Sequence, residues 1–171
     1  EEEIVTVAQL QGQVVSDANR DLLKIVVIER HQGSGRKGFG FVRGLGLRKG
    51  ALASTVAHDS HNLIVVGVSD SDMVVAANTL RELGGGLVVV SDGQVRAQLP
   101  LPVAGLMTAA SLEEVVSWKR EVNRAALELG ATLEHPFMAL SFLALPVIPK
   151  LKLTDQGLVD VESFTHVPLF V

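Results

Sequence analysis

The sequence of 171 residues contains no cysteine and no tyrosine, and aromatic residues make up only 4% of it. The lack of cysteine excludes disulfides, thiolate metal sites and cysteine nucleophiles, but it leaves the redox compartment undetermined. Because aromatic residues are scarce, the core is expected to consist mainly of Val, Leu, Ile and Ala. Hydrophobic residues account for 47% and charged residues for 20%, which excludes a disordered or low-complexity protein.

Long hydrophobic runs are also missing. The longest apolar stretch, residues 137–148, is too short to span a membrane and contains Ser141 and Pro146. No secretory signal is visible, because the sequence opens with Glu1, Glu2 and Glu3 instead of basic residues and an apolar run. We therefore expect a soluble, cytoplasmic protein with no membrane partner. Since the first residue is not Met, we also expect a processed chain or a piece of a longer one.

Charge of one sign does not dominate the sequence. The 15 basic and 19 acidic residues give a net charge of −4, which excludes a bulk electrostatic hold on nucleic acid. A local basic patch is still compatible with this balance.

The pattern of apolar residues predicts an α+β fold with irregular α/β layers, in which at least two helices pack on a mixed β-sheet around a single core. Short apolar runs predict strands at 22–28, 62–68, 87–90, 94–98, 151–154 and 157–161. Helical spacing predicts helices at 71–83 and 111–129, and part of 136–149 is expected to be helical. The glycine-rich residues 30–50 predict a loop with room for one short strand. No repeat or linker divides the sequence, so residues 1–171 are expected to form a single domain.

Gly33, Gly35 and Gly38 satisfy the pattern G-x-G-x-x-G after a predicted strand. A dinucleotide-binding fingerprint also requires a helix that begins at the motif, because the helix N-terminus binds the pyrophosphate. Residues 39–44 (FGFVRG) do not have a helical pattern. The motif is therefore interpreted as a mobile or ligand-facing glycine loop.

The segment Lys37–Val42 (KGFGFV) matches the first six positions of the central strand of an RNA-recognition motif. In such motifs aromatic side chains stack on bases while the basic residue holds phosphate. Gly44 stands in place of the final aromatic residue, and the strand predicted upstream carries no aromatic side chain. An RNA-binding module is one hypothesis for this segment. The other is that Phe39 and Phe41 pack into the core or onto a neighbouring domain.

The polar residues His58, Asp59, His61 and Asn62 lie together between two apolar runs. His58 and His61 would need a third ligand to hold a metal, and none is evident nearby, so no metal site is predicted. Asp59 can orient one of the histidines as an acid–base group, which makes these four residues candidate auxiliary catalytic residues. The alternative is a turn in which Asp59 and Asn62 cap backbone groups while the histidines pack at an interface.

Arg30 and His31 follow the strand predicted at 22–28, and they are candidates for contacting a substrate from the end of that strand. The alternative is an ordinary solvated strand end.

Four stretches of the sequence carry a family resemblance when they are taken in order. They are 44–67 (GLGLRKGALASTVAHDSHNLIVVG), 83–90 (LGGGLVVV), 99–107 (LPLPVAGLM) and 135–161 (HPFMALSFLALPVIPKLKLTDQGLVDV). Together they resemble the C-terminal domain of bacterial and archaeal adenine deaminases of the amidohydrolase superfamily. The AHDSHN sequence in the first stretch is the most specific part. Thr55 and Thr108 stand where serine is expected.

The resemblance implies that the parent enzyme hydrolyses adenine to hypoxanthine and ammonia, in purine metabolism and adenine salvage. It also implies a divalent metal centre, iron or manganese, held on a (β/α)₈ barrel whose ligands begin with a His-x-His pair. None of the five histidines here forms such a pair, and 171 residues fall short of the roughly 250 that a barrel needs. The chain is therefore expected to lack the barrel domain and any cofactor of its own, and to be inactive toward adenine when isolated.

The partners implied by the resemblance are the barrel domain of the same enzyme, adenine as the parent's substrate, and further copies in a homo-oligomer. Residues 58–62, with Arg30 and His31, are expected to face the barrel mouth and to help close or orient the active site. The alternative is a structural or oligomerisation domain without a site of its own.

Overall fold

The computed structural model describes residues 4–171. Glu1, Glu2 and Glu3, on which the expected absence of a secretory signal rests, lie outside the described residues. The helices are Asp70–Leu83 (α1), Leu112–Glu128 (α2) and Pro136–Phe142 (α3). The strands are Ala8–Leu10 (β1), Gln13–Val15 (β2), Leu23–Ile28 (β3), Lys37–Val42 (β4), Ala51–Ser54 (β5), Leu63–Gly67 (β6), Gly86–Ser91 (β7), Gln94–Pro100 (β8), Leu151–Thr154 (β9), Gly157–Asp160 (β10) and Thr165–Val167 (β11).

A six-stranded sheet in the order β4-β3-β6-β5-β7-β8 forms the centre of the fold, and each neighbouring pair in it is antiparallel. The expected α+β class with packed helices is confirmed. The expected mixed sheet is corrected to an antiparallel one. Helix α1 connects β6 to β7, which run in the same direction, but β5 lies between them and runs the opposite way. The unit β6-α1-β7 therefore connects two strands of the same direction that are not paired with each other.

The apolar residues form two clusters, one on each face of the central sheet, where a single core was expected. Helices α2 and α3 and strand β9 cover the face that carries Ile25, Val27 and Ile64, whereas α1 covers the face that carries Val26 and Val65. The difference arises because successive side chains of a strand point to opposite faces, so the sheet backbone separates the two clusters. Strands buried on both faces also explain the continuous apolar runs in the sequence.

The two long helices begin and end where the sequence predicts. The side chain of Ser69 caps α1 by accepting from the N–H of Asp72, and Gly84 ends the helix in a left-handed conformation. In α2 the side chains of Ser111 and Glu114 form a reciprocal capping box. Helix α3 ends before Pro146, as expected for the broken helical segment. None of the helices in residues 4–171 is long and apolar enough to cross a membrane.

The short strand allowed for in residues 30–50 is β4, at the edge of the central sheet, and its glycines face the small sheet of β9, β10 and β11. A Cβ at Gly38 would overlap the carbonyl oxygen of Thr154, whereas a Cβ at Gly40 would make ordinary contacts of 3.4–3.6 Å with Ile25 and Leu153. Gly38 therefore permits a close approach of two sheets. This packing accounts for one glycine of the RNA-recognition pattern, and nothing in the described structure supports RNA binding.

The loops that carry the candidate residues lie at one end of the central sheet. Ile28 pairs with Leu63, Ser54 pairs with Leu87, and Gly86 pairs with Pro100, so the ends of β3, β5 and β8 meet the beginnings of β6 and β7. The loops after β3, after β5 and after β8 consequently lie side by side. The antiparallel order thus places Arg30 and His31 next to residues 58–62.

Candidate functional site

Residues 58–62, called the polar loop below, are fixed to the protein through their backbone. The N–H of His58 donates to the carbonyl oxygen of Ser141 in α3 at 3.1 Å, and the N–H of His61 donates to the carbonyl oxygen of Ala57 at 2.7 Å. His61 has a left-handed backbone conformation with φ of 51°, which turns the chain sharply into β6. The loop is therefore a defined turn whose backbone is held at both ends.

Arg30 and His31 lie against the polar loop and hold its carbonyl oxygens. The Nε of Arg30 donates to the carbonyl oxygen of His61 at 2.6 Å, and its Nη2 donates to that of Ala104 at 2.7 Å. The Nε2 of His31 is 2.8 Å from the carbonyl oxygen of Ser60. The structure thus brings both predicted residues to the predicted loop, and it shows that both side chains fix the loop backbone. Substrate contact by either residue stays a prediction.

The segment 101–107, after β8, belongs to the same site through Arg30. A Cβ at Gly105 would lie 2.7 Å from the Arg30 guanidinium, so the absence of a side chain there lets the guanidinium lie against the backbone. The carbonyl oxygen of Gly105 also accepts the hydroxyl of Thr55 at 2.6 Å. Arg30 therefore joins two loops that are far apart in sequence. Sequence reasoning did not assign this segment to the site, although it matched the segment to the family.

Glu29 organises the backbone that carries Arg30 and His31. Its carboxylate accepts the N–H groups of His31, Gln32 and Ser34 and the hydroxyl of Ser34. Hydrogen bonds from the backbone of Ser34 and of Gln32 are the main reasons why its pKa falls from 4.5 to about 2. The charged carboxylate thus shapes the glycine loop predicted from residues 33–38. This role of Glu29 was missed in the sequence analysis. The signal that could have revealed it is an acidic residue directly before a loop rich in Gly and Ser.

The two imidazole rings of the polar loop lie edge to face, with centroids 5.7 Å apart and an interplanar angle of 72°. The ring of His58 also lies 5.0 Å from the ring of Phe142 in α3. The Nδ1 of His61 accepts the N–H of Ala57 at 3.3 Å. Because Nδ1 is an acceptor there, the neutral ring of His61 carries its proton on Nε2.

The electrostatic environment favours the neutral form of His61. Burial is the main cause of its lowered pKa, electrostatic interactions with His58, Arg30 and His31 lower the pKa further, and Asp59 acts in the opposite direction. At neutral pH the ring is therefore a neutral donor through Nε2. In residues 4–171, no hydrogen bond engages the carboxylate of Asp59 or the imidazole of His58.

Asn62, the fourth predicted residue, fastens the polar loop to the turn between β9 and β10. Its Nδ2 donates to Oδ1 of Asp155 at 3.2 Å, and Oδ2 of Asp155 accepts the Nε of Arg36 at 2.8 Å. Asn62 is only 4% exposed, and its Oδ1 has no hydrogen-bond partner in the described structure. Local patterns do not reveal Asp155, because 93 positions separate it from Asn62.

The divalent metal implied by the family resemblance does not fit these residues. No group of three or more His, Asp or Glu residues within 4–171 is placed to hold a metal ion. His61 uses its Nδ1 for the backbone of Ala57, which leaves one nitrogen on that ring. The polar loop therefore offers hydrogen-bonding and acid–base groups rather than a metal site.

A cleft of about 490 Å³ lies beside Arg30, between the end of α1 and this end of the sheet. Its walls include the side chains of Thr55 and Arg81 and the glycines Gly84 and Gly85. The imidazoles of the polar loop do not line it. Arg30 thus lines the cleft and also binds the polar loop.

Comparison with known proteins identifies the family. The adenine deaminase C-terminal domain family matches residues 1–165. The chain is 58% identical over 160 residues to an adenine deaminase of Oleidesulfovibrio alaskensis, covering 94% of this chain and 28% of the relative. It is 55% identical over 164 residues to one of Desulfatibacillum aliphaticivorans, covering 96% of this chain and 29% of the relative.

An adenine deaminase of Moorella thermoacetica is 54% identical over 165 residues, which are 96% of this chain and 28% of the relative. The chain therefore spans less than a third of the length of these relatives. The resemblance seen in the AHDSHN stretch and the three later stretches is confirmed. The chain belongs to the adenine deaminase C-terminal domain family.

Proposed function

We propose that this chain is the accessory domain of an adenine deaminase, which hydrolyses adenine to hypoxanthine and ammonia. The family match and the adenine deaminase relatives, of which the chain covers 28–29%, support this assignment. The metal chemistry, with iron or manganese, belongs to the barrel domain of the parent enzyme. Residues 1–171 form one domain that contributes to the active site from outside the barrel.

The observation that carries the proposed role is the contrast between backbone and side chains in the polar loop. Arg30 and His31 fix two successive carbonyl oxygens of the loop, and Ser141 fixes its first N–H. The carboxylate of Asp59 and the imidazole of His58, by contrast, form no hydrogen bond within the described residues. Polar groups on a rigid support are the arrangement that orients a substrate at low entropic cost.

The polar loop accordingly faces the mouth of the barrel, where it helps to close or orient the active site. Adenine presents ring nitrogens that accept hydrogen bonds and an amine that donates them. The neutral ring of His61 donates through Nε2, and the carboxylate of Asp59 accepts. The loop thus has the complementary pair of groups, and Arg30 and His31 act as positioning residues.

The test is kinetic and uses the complete adenine deaminase that contains this domain. His61→Ala and Asp59→Asn are each expected to change kcat or KM by about tenfold or more, as is common for positioned acid–base or hydrogen-bonding groups. The melting temperature of Asp59→Asn should stay close to that of the unmodified enzyme, whereas His61→Ala should lower it, because that change also removes the acceptor of the Ala57 N–H. Glu82→Gln, an exposed carboxylate on α1, is the matched control and should leave both quantities unchanged.

Two results would contradict the proposal. Unchanged kcat, KM and stability in both variants would leave the polar loop without a functional role. A loss of stability alone would assign the loop to a structural interface between domains or subunits.

A further inference from the structure

Helix α3 and the turns after it present an apolar surface to solvent. Residues 136–149 contain no charged side chain. Four large apolar residues in this segment are exposed by 39–59%, namely Met138, Phe142, Val147 and Ile148, which we call the α3 face. Scattered apolar side chains are normal on a protein surface, but an exposed apolar segment without any charge is typical of an interaction site.

The α3 face is physically continuous with the polar loop. The ring of Phe142 lies 5.0 Å from the ring of His58, and the carbonyl oxygen of Ser141 in the same helix accepts the N–H of His58 at 3.1 Å. A partner that covers Phe142 therefore also reaches His58. An apolar groove of about 350 Å³ elsewhere in the fold is lined by residues that include Val14, Phe39 and Phe170, and no residue of the polar loop lines it.

The length of the relatives indicates what covers the α3 face. The adenine deaminases that match this chain are more than three times as long as the matched region, and the family is described as their C-terminal domain. The remaining chain therefore precedes this domain in the parent. It is a covalently attached partner at high effective concentration, so even a modest apolar contact with it is favoured.

We propose that the α3 face is the surface on which the preceding part of the adenine deaminase chain docks. This inference rests on the proposed function, since that function supplies the parent chain. The occupant is apolar at the contact, because the α3 face offers no charge for a salt bridge. Docking there holds α3, and through Ser141 and Phe142 it holds His58 at the domain boundary.

The experiment uses the complete deaminase with Met138→Ser and with the double change Met138→Ser and Phe142→Ser. Each variant should accelerate proteolysis between the domains, about tenfold for the double variant, and increase hydrogen exchange in α3. Val74→Ser is the matched control, because Val74 is 60% exposed on α1, across the central sheet, and should change neither quantity. Met138 is 55% exposed, so its replacement tests docking without disturbing the core.

Two outcomes would overturn the proposal. The first is that proteolysis and hydrogen exchange in the α3 variants equal those of the Val74→Ser control. The second is that the double variant changes the mass of the assembly in light scattering while proteolysis between domains stays unchanged, which would assign the face to a second copy. If His61→Ala and Asp59→Asn leave kinetics unchanged while the α3 variants loosen the domains, the proposed function fails and the docking surface stands.

Discussion

The glycine-rich segment 33–42 and the polar loop both have the residue types of a functional site, yet the structure uses them in different ways. In the glycine-rich segment, the N–H and hydroxyl of Ser34 bind the carboxylate of Glu29, and Gly38 lies against the backbone of Thr154. In the polar loop the backbone is held, while the carboxylate of Asp59 accepts no hydrogen bond within residues 4–171.

A motif is weak evidence for function when its unusual residues already have a structural explanation. Glycine at position 38 is explained by the close approach of two sheets, without any ligand. Asp59 and the two histidines of the loop have no such complete explanation. Replacements in the first region should therefore affect stability, and replacements in the second should affect the activity of the parent enzyme.

Gly38→Ala should have the largest effect on stability. The new Cβ would overlap the backbone of Thr154, which cannot move without separating β4 from the small sheet. We expect a loss of about 3 kcal/mol in the free energy of unfolding, measured by denaturant titration. Gly40→Ala on the same face of the same strand is the control, since its Cβ would make contacts of 3.4–3.6 Å. Equal stability of the two variants would show that Gly38 is not required for packing.

Arg30→Met should have the next largest effect. It leaves the carbonyl oxygens of His61 and Ala104 without their donors, at a cost of about 2 kcal/mol in unfolding free energy. Loss of the nearby positive charge should also raise the pKa of His61, which NMR titration would detect. Arg30→Lys keeps the positive charge, so the pKa of His61 should stay close to its value in the unmodified protein. If the pKa of His61 does not change in Arg30→Met, the charge of Arg30 does not act on His61.

Glu29→Gln should change how stability depends on pH. The pKa of Glu29 falls from 4.5 to about 2, so its carboxylate stabilises the fold above pH 4.5, and this contribution disappears as the pH falls from 4.5 toward 2. The variant should be less stable than the unmodified protein at neutral pH, and it should lose less stability as the pH falls from 4.5 toward 2. Glu82→Gln is the control. Parallel stability–pH curves for Glu29→Gln and the parent would contradict the assigned role of the carboxylate.

Elements with strong local signals could be predicted from the sequence. The capping box of Ser111 and Glu114 predicted where α2 begins, and Asp92 with Gly93 predicted the turn between β7 and β8. The three-residue strands β1, β2 and β11 were missed, because so short a strand has no recognisable alternation. The antiparallel order and the two clusters depend on long-range pairing, which a local pattern does not contain.

Part of the candidate site could also be predicted, because it too has local signals in the sequence. The position after a predicted strand identified Arg30 and His31 as candidate residues, and polar composition identified the loop itself. Their attachment to the carbonyl oxygens of His61 and Ser60 was not predictable, because backbone groups have no sequence signature. Asp155 was missed because only the packing of the small sheet brings it to Asn62.

The most direct measurement is the steady-state kinetics of Asp59→Asn in the complete adenine deaminase, together with its melting temperature. Asp59 is exposed, and asparagine has nearly the same shape, so the fold should be unaffected. If the polar loop contributes to the active site, kcat/KM should fall by about tenfold or more at an unchanged melting temperature. An unchanged kcat/KM would contradict a role for Asp59 in the active site.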